Sequence, residues 1–142
     1  MNTVSMAGIE DARLLEAQHI SSPEADLIVF EDGRNLPFAM RRVFTVHAHE
    51  AIERGRHAHR ECKQVMICLV GACEILVDDG RERKTVALSD PQMALYVPPS
   101  IWAEQSYNEP GTILMVLCDR NYVEADYIRN YDAFLAYRSG NS

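Results

Sequence analysis

No apolar run in these 142 residues approaches the roughly 20 that a membrane-spanning helix needs. The N-terminus lacks a basic segment followed by an apolar stretch, so no secretory signal is expected either. There is no CxxC pair. Three of the four cysteines (Cys62, Cys68, Cys73 and Cys118) lie inside apolar runs, where a thiol behaves as a small hydrophobe, and this predicts reduced core thiols rather than disulfides. Positive charge is in deficit: 14 Lys and Arg against 21 Asp and Glu leave a formal charge of −7. That argues against nucleic acid or an anionic membrane as the main partner, but not against a phosphate-bearing ligand held where a few arginines converge. Repeats, low-complexity tracts and a second domain are also absent. The expectation is a cytoplasmic protein with a loose segment over 1–12 and one domain over 13–142. With 47% hydrophobic residues, the chain can bury a core.

What is present is a series of short apolar or alternating segments, at 27–31, 40–47, 64–70, 73–77, 82–88, 93–97, 101–107 and 112–118. Turn signals separate them: Asp32-Gly33, Gly71, Asp78-Asp79-Gly80, Pro98-Pro99 and Pro110-Gly111. Many short strands at close spacing predict an all-β sandwich or barrel. From 123 to 137 the period changes. Tyr127, Ile128, Tyr131, Phe134 and Leu135 fall at helical spacing, so a C-terminal helix capped by Asp119 or Asn121 is expected to pack on the β core.

The chemistry concentrates in Arg54-Gly55-Arg56-His57-Ala58-His59. Histidines at i and i+2 on a strand share a face, which inside a barrel lines the cavity. Two converging imidazoles serve metal ligation or proton transfer. The alternative is a pair of cavity histidines held by hydrogen bonds with no catalytic task. A second pair, His47 and His49, either flanks a solvated loop or folds back toward the first.

This layout resembles a cupin, a jelly-roll barrel that commonly carries a Gly, a His-x-His, an acidic ligand and a later histidine. Here Gln64 stands at the acidic position, and Ala103, after Pro98-Pro99, stands at the second-motif histidine. A stable transition-metal site needs three or four protein ligands. The resemblance therefore implies a metal-free, cofactor-free site suited to acid–base work, with a metal-dependent cupin as the competing class.

Wider segments resemble the dTDP-4-keto-6-deoxyglucose 3,4-ketoisomerase family. They are Leu36-Pro37-Phe38 with Arg42-Val43-Phe44, the segment from Arg54 to His59, Gln64 to Gly71, Leu76 to Gly80, Leu95-Tyr96-Val97-Pro98-Pro99 with Trp102, and Asp126-Tyr127-Ile128-Arg129-Asn130-Tyr131 with Phe134. The resemblance implies a cupin jelly-roll barrel with a short C-terminal helix, a homodimer with intertwined strands, and movement of a sugar carbonyl from carbon 4 to carbon 3 through an enediol. On that analogy His57 is the base and His59 assists proton movement. Arg54 faces the enediolate or the diphosphate, Arg42 the nucleotide, and Gln64 a sugar hydroxyl. Tyr96 and Trp102 border the sugar or thymine, or else serve as packing. The sequence departs from the family where an Arg-Gly pair is replaced by Glu24-Ala25, where Ala103 follows Trp102, and where Phe44-Thr45 replaces a tyrosine pair. Positions 24 and 103 are those the family implies for stereochemistry at carbon 4. Three outcomes stay open: altered stereochemistry, a different nucleotide sugar, or a sugar-nucleotide binder without turnover.

Overall fold

The alternating segments become strands in the computed structural model, which describes residues 6–140. Strands β1 (Arg13–Glu16), β2 (Gln18–Ser21), β3 (Asp26–Val29), β4 (Arg42–His47), β5 (Ile52–His59) and β6 (Gln64–Val70) precede β7 (Cys73–Asp78), β8 (Arg83–Leu88), β9 (Met93–Val97), β10 (Trp102–Tyr107), β11 (Ile113–Cys118) and β12 (Tyr127–Ile128). The helix α1 (Tyr131–Arg138) follows. One five-stranded sheet runs β1-β9-β6-β11-β4, a second runs β12-β5-β10-β7-β8, and β2 and β3 form a separate hairpin. This is a jelly roll. Among the described residues no helix is long and apolar enough to cross a membrane.

Strand alternation divides the side chains into three apolar layers. Met66, Cys68, Leu95, Val97, Leu114 and Val116 from the first sheet meet Ile75, Val77, Leu88, Ala103 and Tyr107 from the second. Met66 and Cys68 of β6 point into this core. Val65 and Ile67 point outward beneath Leu15, Leu36 and Phe38. A strand buried on both faces reads as a continuous apolar run, which is why 64–70 shows no alternation. Ala58, Trp102, Ile128 and Phe134 cover the outside of the second sheet and seat α1. All four cysteines are buried and free.

The C-terminal helix is shorter than its periodicity suggests. Tyr127 and Ile128 pair with His59 and Ala58 of β5 as a strand, and the helix begins only at Tyr131, capped by the Asn130 side chain accepting from Ala133 N at 2.9 Å. Asp119 and Asn121 therefore do not cap it. Asp119 instead accepts from Lys63 N at 2.9 Å. Of the segment 1–12, residues 1–5 lie outside the described residues, while Ala7, Ile9 and Ala12 pack on the central core.

Candidate active site

The site begins with a break in strand β5. Ala103 and Glu104 are consecutive on β10, yet they pair with His57 and Gly55, so Arg56 has no partner across the ladder. Gly55 (φ 91°) and Arg56 (φ 57°) both lie in the left-handed region. Gly55 adopts it freely. Arg56 does so at a cost of about 1–3 kcal/mol, with its guanidinium held by Glu53 at 2.7 Å and Glu104 at 3.7 Å. This β-bulge shifts the phase of the strand. On regular alternation Arg54 and His57, three apart, would point to opposite faces; the extra residue puts both on the interior face.

That face walls a cavity of about 340 Å³. Its lining comes from Arg42, Phe44, Thr45 and Val46 of β4, Arg54, Gly55 and His57 of β5, Gln64 of β6, Gln105 of β10, and Tyr127 and Arg129 near β12. The two catalytic candidates sit together, with ring centroids 5.0 Å apart in an edge-to-face arrangement. Tyr127 covers both, at 5.0 Å from His57 and 4.3 Å from His59. His59 is buried behind His57, and among the described residues its Nε2 has no hydrogen-bond partner.

The partners of the ring nitrogens fix where the protons are. His57 Nδ1 lies 3.1 Å from the Gly55 carbonyl oxygen. A carbonyl only accepts, so Nδ1 carries the hydrogen and Nε2 keeps its lone pair. His59 Nδ1 lies 2.8 Å from Asp126 Oδ2. The same reasoning makes it the donor and frees its Nε2. Burial, reinforced by the neighbouring His59, pushes the His57 pKa down to about 4. Burial also lowers His59, although Asp126 pulls in the opposite direction. Both rings are therefore neutral near pH 7, each offering an Nε2 lone pair.

The cavity has a surplus of positive charge in an acidic chain. Among the described residues neither Arg42 nor Arg54 makes a salt bridge. Glu53, the expected partner of Arg54, is taken by Arg56. Arg42 lies over the Phe44 ring at 4.7 Å and the Tyr122 ring at 5.3 Å. Arg129 lies over Tyr127 at 4.3 Å and grips Glu124 with a two-pronged pair at 2.9 and 3.0 Å. Gln64 is buried, with its amide donating to Cys118 Sγ at 3.6 Å.

The other sequence candidates fall elsewhere. Ala103 is in the core, directly paired with His57 across the ladder. Leu95 and Val97 face inward, so Tyr96 faces out, against Phe38 and beneath Arg13. Ala103 and Gln105 face inward, so Trp102 faces out, packed on Tyr131 and Phe134 with its Nε1 donating to Glu104. Neither Tyr96 nor Trp102 is in the lining of the histidine cavity. Glu24 is exposed in the β2–β3 turn, away from the cavity lining. His47 and His49 are exposed and do not join the inner pair; His47 Nε2 contacts the Thr45 hydroxyl at 3.1 Å. His59, Cys62 and Asp126 bring potential ligand atoms within 4.8 Å of one another. However, the Asp126 oxygens already accept from His59 Nδ1 and from the Glu61 and Cys62 amides, so an ion held there would compete with those hydrogen bonds. The sequence reading missed Tyr127, Arg129, Gln105 and Asp126. Gln105 follows from inward alternation with Ala103 and Tyr107, whereas the others lay in a segment read as helix.

The family FdtA: WxcM-like, C-terminal matches residues 10–139. A TDP-4-oxo-6-deoxy-alpha-D-glucose-3,4-oxoisomerase from Aneurinibacillus thermoaerophilus is 35% identical over 126 residues, which are 88% of this chain and 91% of that protein. The crystal structure of a 3,4-ketoisomerase from Helicobacter canadensis superposes with a TM-score of 0.87 at 33% identity, covering 91% of this chain and 98% of that one. QdtA, a sugar 3,4-ketoisomerase from Thermoanaerobacterium thermosaccharolyticum solved in complex with TDP, superposes with a TM-score of 0.88 at 32% identity, covering 94% and 98%.

Proposed function

The chain belongs to the FdtA family of sugar 3,4-ketoisomerases, and from that membership we propose that it moves the carbonyl of a TDP-linked 4-keto-6-deoxyhexose from carbon 4 to carbon 3 by histidine acid–base catalysis. It is an isomerase. The observation carrying the mechanism is the pair of neutral imidazoles, His57 on the cavity wall and His59 buried in edge-to-face contact behind it, each with an Nε2 lone pair. His57 Nε2 takes the proton from carbon 3. The electrons form the carbon 3–carbon 4 double bond of an enediolate, the hydroxyl proton passes from the carbon 3 oxygen to the carbon 4 oxygen with help from His59, and the proton returns at carbon 4 as the carbon 3 carbonyl forms. Atoms and electrons balance without a redox partner.

Arg42 and Arg54, the cavity guanidiniums without carboxylate partners, suit the diphosphate, and Arg54 also suits the developing oxyanion. Gln64 reaches a sugar hydroxyl. Ala103, beside His57, leaves room that a larger residue would fill, which bears on which face of carbon 4 is protonated. We also propose a cytoplasmic homodimer. Support for the compartment is four buried free thiols. Support for the dimer is apolar exposure at Ile20 and Leu27 on the β2–β3 hairpin and at Met40 and Val43 just before and on edge strand β4. Glu24, on that hairpin, bears on specificity only where the hairpin reaches a partner's cavity.

The test is incubation with TDP-4-keto-6-deoxyglucose in heavy water. Deuterium at ring carbons and a 3-keto product, both abolished by His57→Asn, are expected. Tight binding without exchange would leave a sugar-nucleotide binder, and stoichiometric metal with activity lost to a chelator would establish a metal enzyme instead.

A further inference from the structure

We infer that Asp126 is a positioning residue of the active site: it fixes His59 in the Nδ1–H tautomer, keeps the His59 Nε2 lone pair turned to proton transfer, and offers a carboxylate to the imidazolium when His59 holds a proton. The inference rests on the ketoisomerase reading for the reaction served, but its geometry stands apart from it. Asp126 is 67 residues from His59, and its carboxylate is buried with a full set of donors. Oδ1 accepts from Glu61 N at 2.7 Å; Oδ2 accepts from His59 Nδ1 at 2.8 Å and from Cys62 N at 3.3 Å. The Asp126 carbonyl also accepts from Arg60 N at 2.8 Å. The turn after β5 is thus wrapped around Asp126, and the carboxylate cannot rotate without breaking two backbone hydrogen bonds.

The two histidines consequently differ in kind. His57 donates to a neutral carbonyl, which offers little to an imidazolium, whereas His59 donates to a carboxylate, which compensates one. His59 Nε2 is buried without a partner among the described residues, a costly state for a polar atom unless its lone pair has a use. The titratable and charged groups facing His59 are His57 on its own strand, Asp126 and Tyr127 from the segment paired across it, Cys62 beyond the strand end, and Arg129 and Arg42 at longer range. Among these only Asp126 meets Nδ1.

The donor set makes Asp126→Asn a sharp perturbation. Three donors face the side chain, but asparagine has a single oxygen, and its NH₂ must point either at Glu61 N, 2.7 Å away on the Oδ1 side, or at His59 Nδ1 together with the longer 3.3 Å contact of Cys62 N on the Oδ2 side. A backbone amide cannot become an acceptor, and a histidine can. The asparagine NH₂ therefore turns to His59 Nδ1, and the proton moves to Nε2. In the protein labelled with nitrogen-15 at histidine, the wild type is expected to show His59 protonated at Nδ1 and bare at Nε2, and Asp126→Asn to show the reverse. With TDP-4-keto-6-deoxyglucose, kcat is expected to fall by about 10²-fold or more with KM nearly unchanged, the range seen when an orienting partner of a working histidine is lost. His59 protonated at Nε2 in the wild type would overturn the inference, as would a folded Asp126→Asn with the swapped tautomer and unaltered kcat. Where the variant does not fold, the wild-type ring-nitrogen assignment decides. A wild type that fails to exchange deuterium into the keto sugar overturns the ketoisomerase reading instead, and the tautomers still test the role of Asp126.

Discussion

Acidification from pH 7 to pH 4 is expected to destabilise the protein through His57, and the size of the effect follows from its burial. The unfolded chain titrates this group near 6.5, and the folded cavity holds it at about 4. A folded pKa below the unfolded one means the unfolded state binds the extra proton in this window. The stability is fully present above about 6.5 and is lost as pH falls toward 4. The drop corresponds to about 3 kcal/mol, or roughly 10 °C in Tm for a domain of this size. The carboxylates whose pKa values are lowered, Asp26, Asp79, Asp119 and Glu124, lose their contribution as pH falls below their ordinary values of 3.8 to 4.5, so they act mostly beneath the histidine window and are present in both proteins when His57→Asn is the comparison. His59 moves in the same direction as His57 and remains in both proteins when His57→Asn is the comparison. Urea unfolding at steps from pH 7 to pH 4 should show the wild type losing about 3 kcal/mol more than His57→Asn. Parallel curves for the two proteins would refute the reasoning.

Gly55→Ala should cost about 1–3 kcal/mol, because φ is 91° and the added Cβ would sit 3.3 Å from the Ala103 carbonyl; by disturbing the bulge it should also lower kcat, read by thermal melts and steady-state assay. Arg42→Ala and Arg54→Ala should each weaken TDP binding about 10- to 100-fold in calorimetry, the range for one lost hydrogen bond to a charged group. Phe134→Ala, at 0% exposure between α1 and the second sheet, should cost about 3–5 kcal/mol in denaturant while leaving TDP affinity unchanged for the folded fraction.

The parts of this molecule that were legible in the sequence are those written in local chemistry. Asp78-Asp79-Gly80 marks a hairpin because a residue with positive φ is needed there, and Gly80 has φ 93°. His57 and His59 were legible as one face because strand parity needs only their spacing. The bulge was not: that Arg54 joins them depends on a left-handed Arg56 held by Glu53 and Glu104, which no spacing rule reports. Parity also settles Tyr96 and Trp102, but only once the inward residues of β9 and β10 are known. Strands β1 and β2 have four residues each and mixed polarity, too short for a periodic signal. Tyr127 and Ile128 continue a helical pattern into a strand because the edge of β5 recruits them. Asp126 reaches His59 only through that pairing.

A base with a pKa near 4 is well placed to be unprotonated but is weak for removing a proton from carbon, so the substrate itself must strengthen it. Arg129 contributes to depressing His57, and the guanidiniums of Arg42 and Arg54, which make no salt bridge among the described residues, line the same space. A TDP-sugar brings a diphosphate whose negative charge offsets theirs, and nearby negative charge favours the imidazolium and raises its pKa. The acid limb of kcat/KM reports the free enzyme and that of kcat the bound complex. The kcat/KM limb should therefore fall near pH 4 and the kcat limb distinctly higher. In Arg129→Gln the positive charge that lowers His57 is gone, so the kcat/KM limb should move upward toward the kcat limb. Coincident limbs in the wild type, or a kcat limb below that of kcat/KM, would mean that the diphosphate does not act on His57, and the base would then have to be sought elsewhere in the cavity.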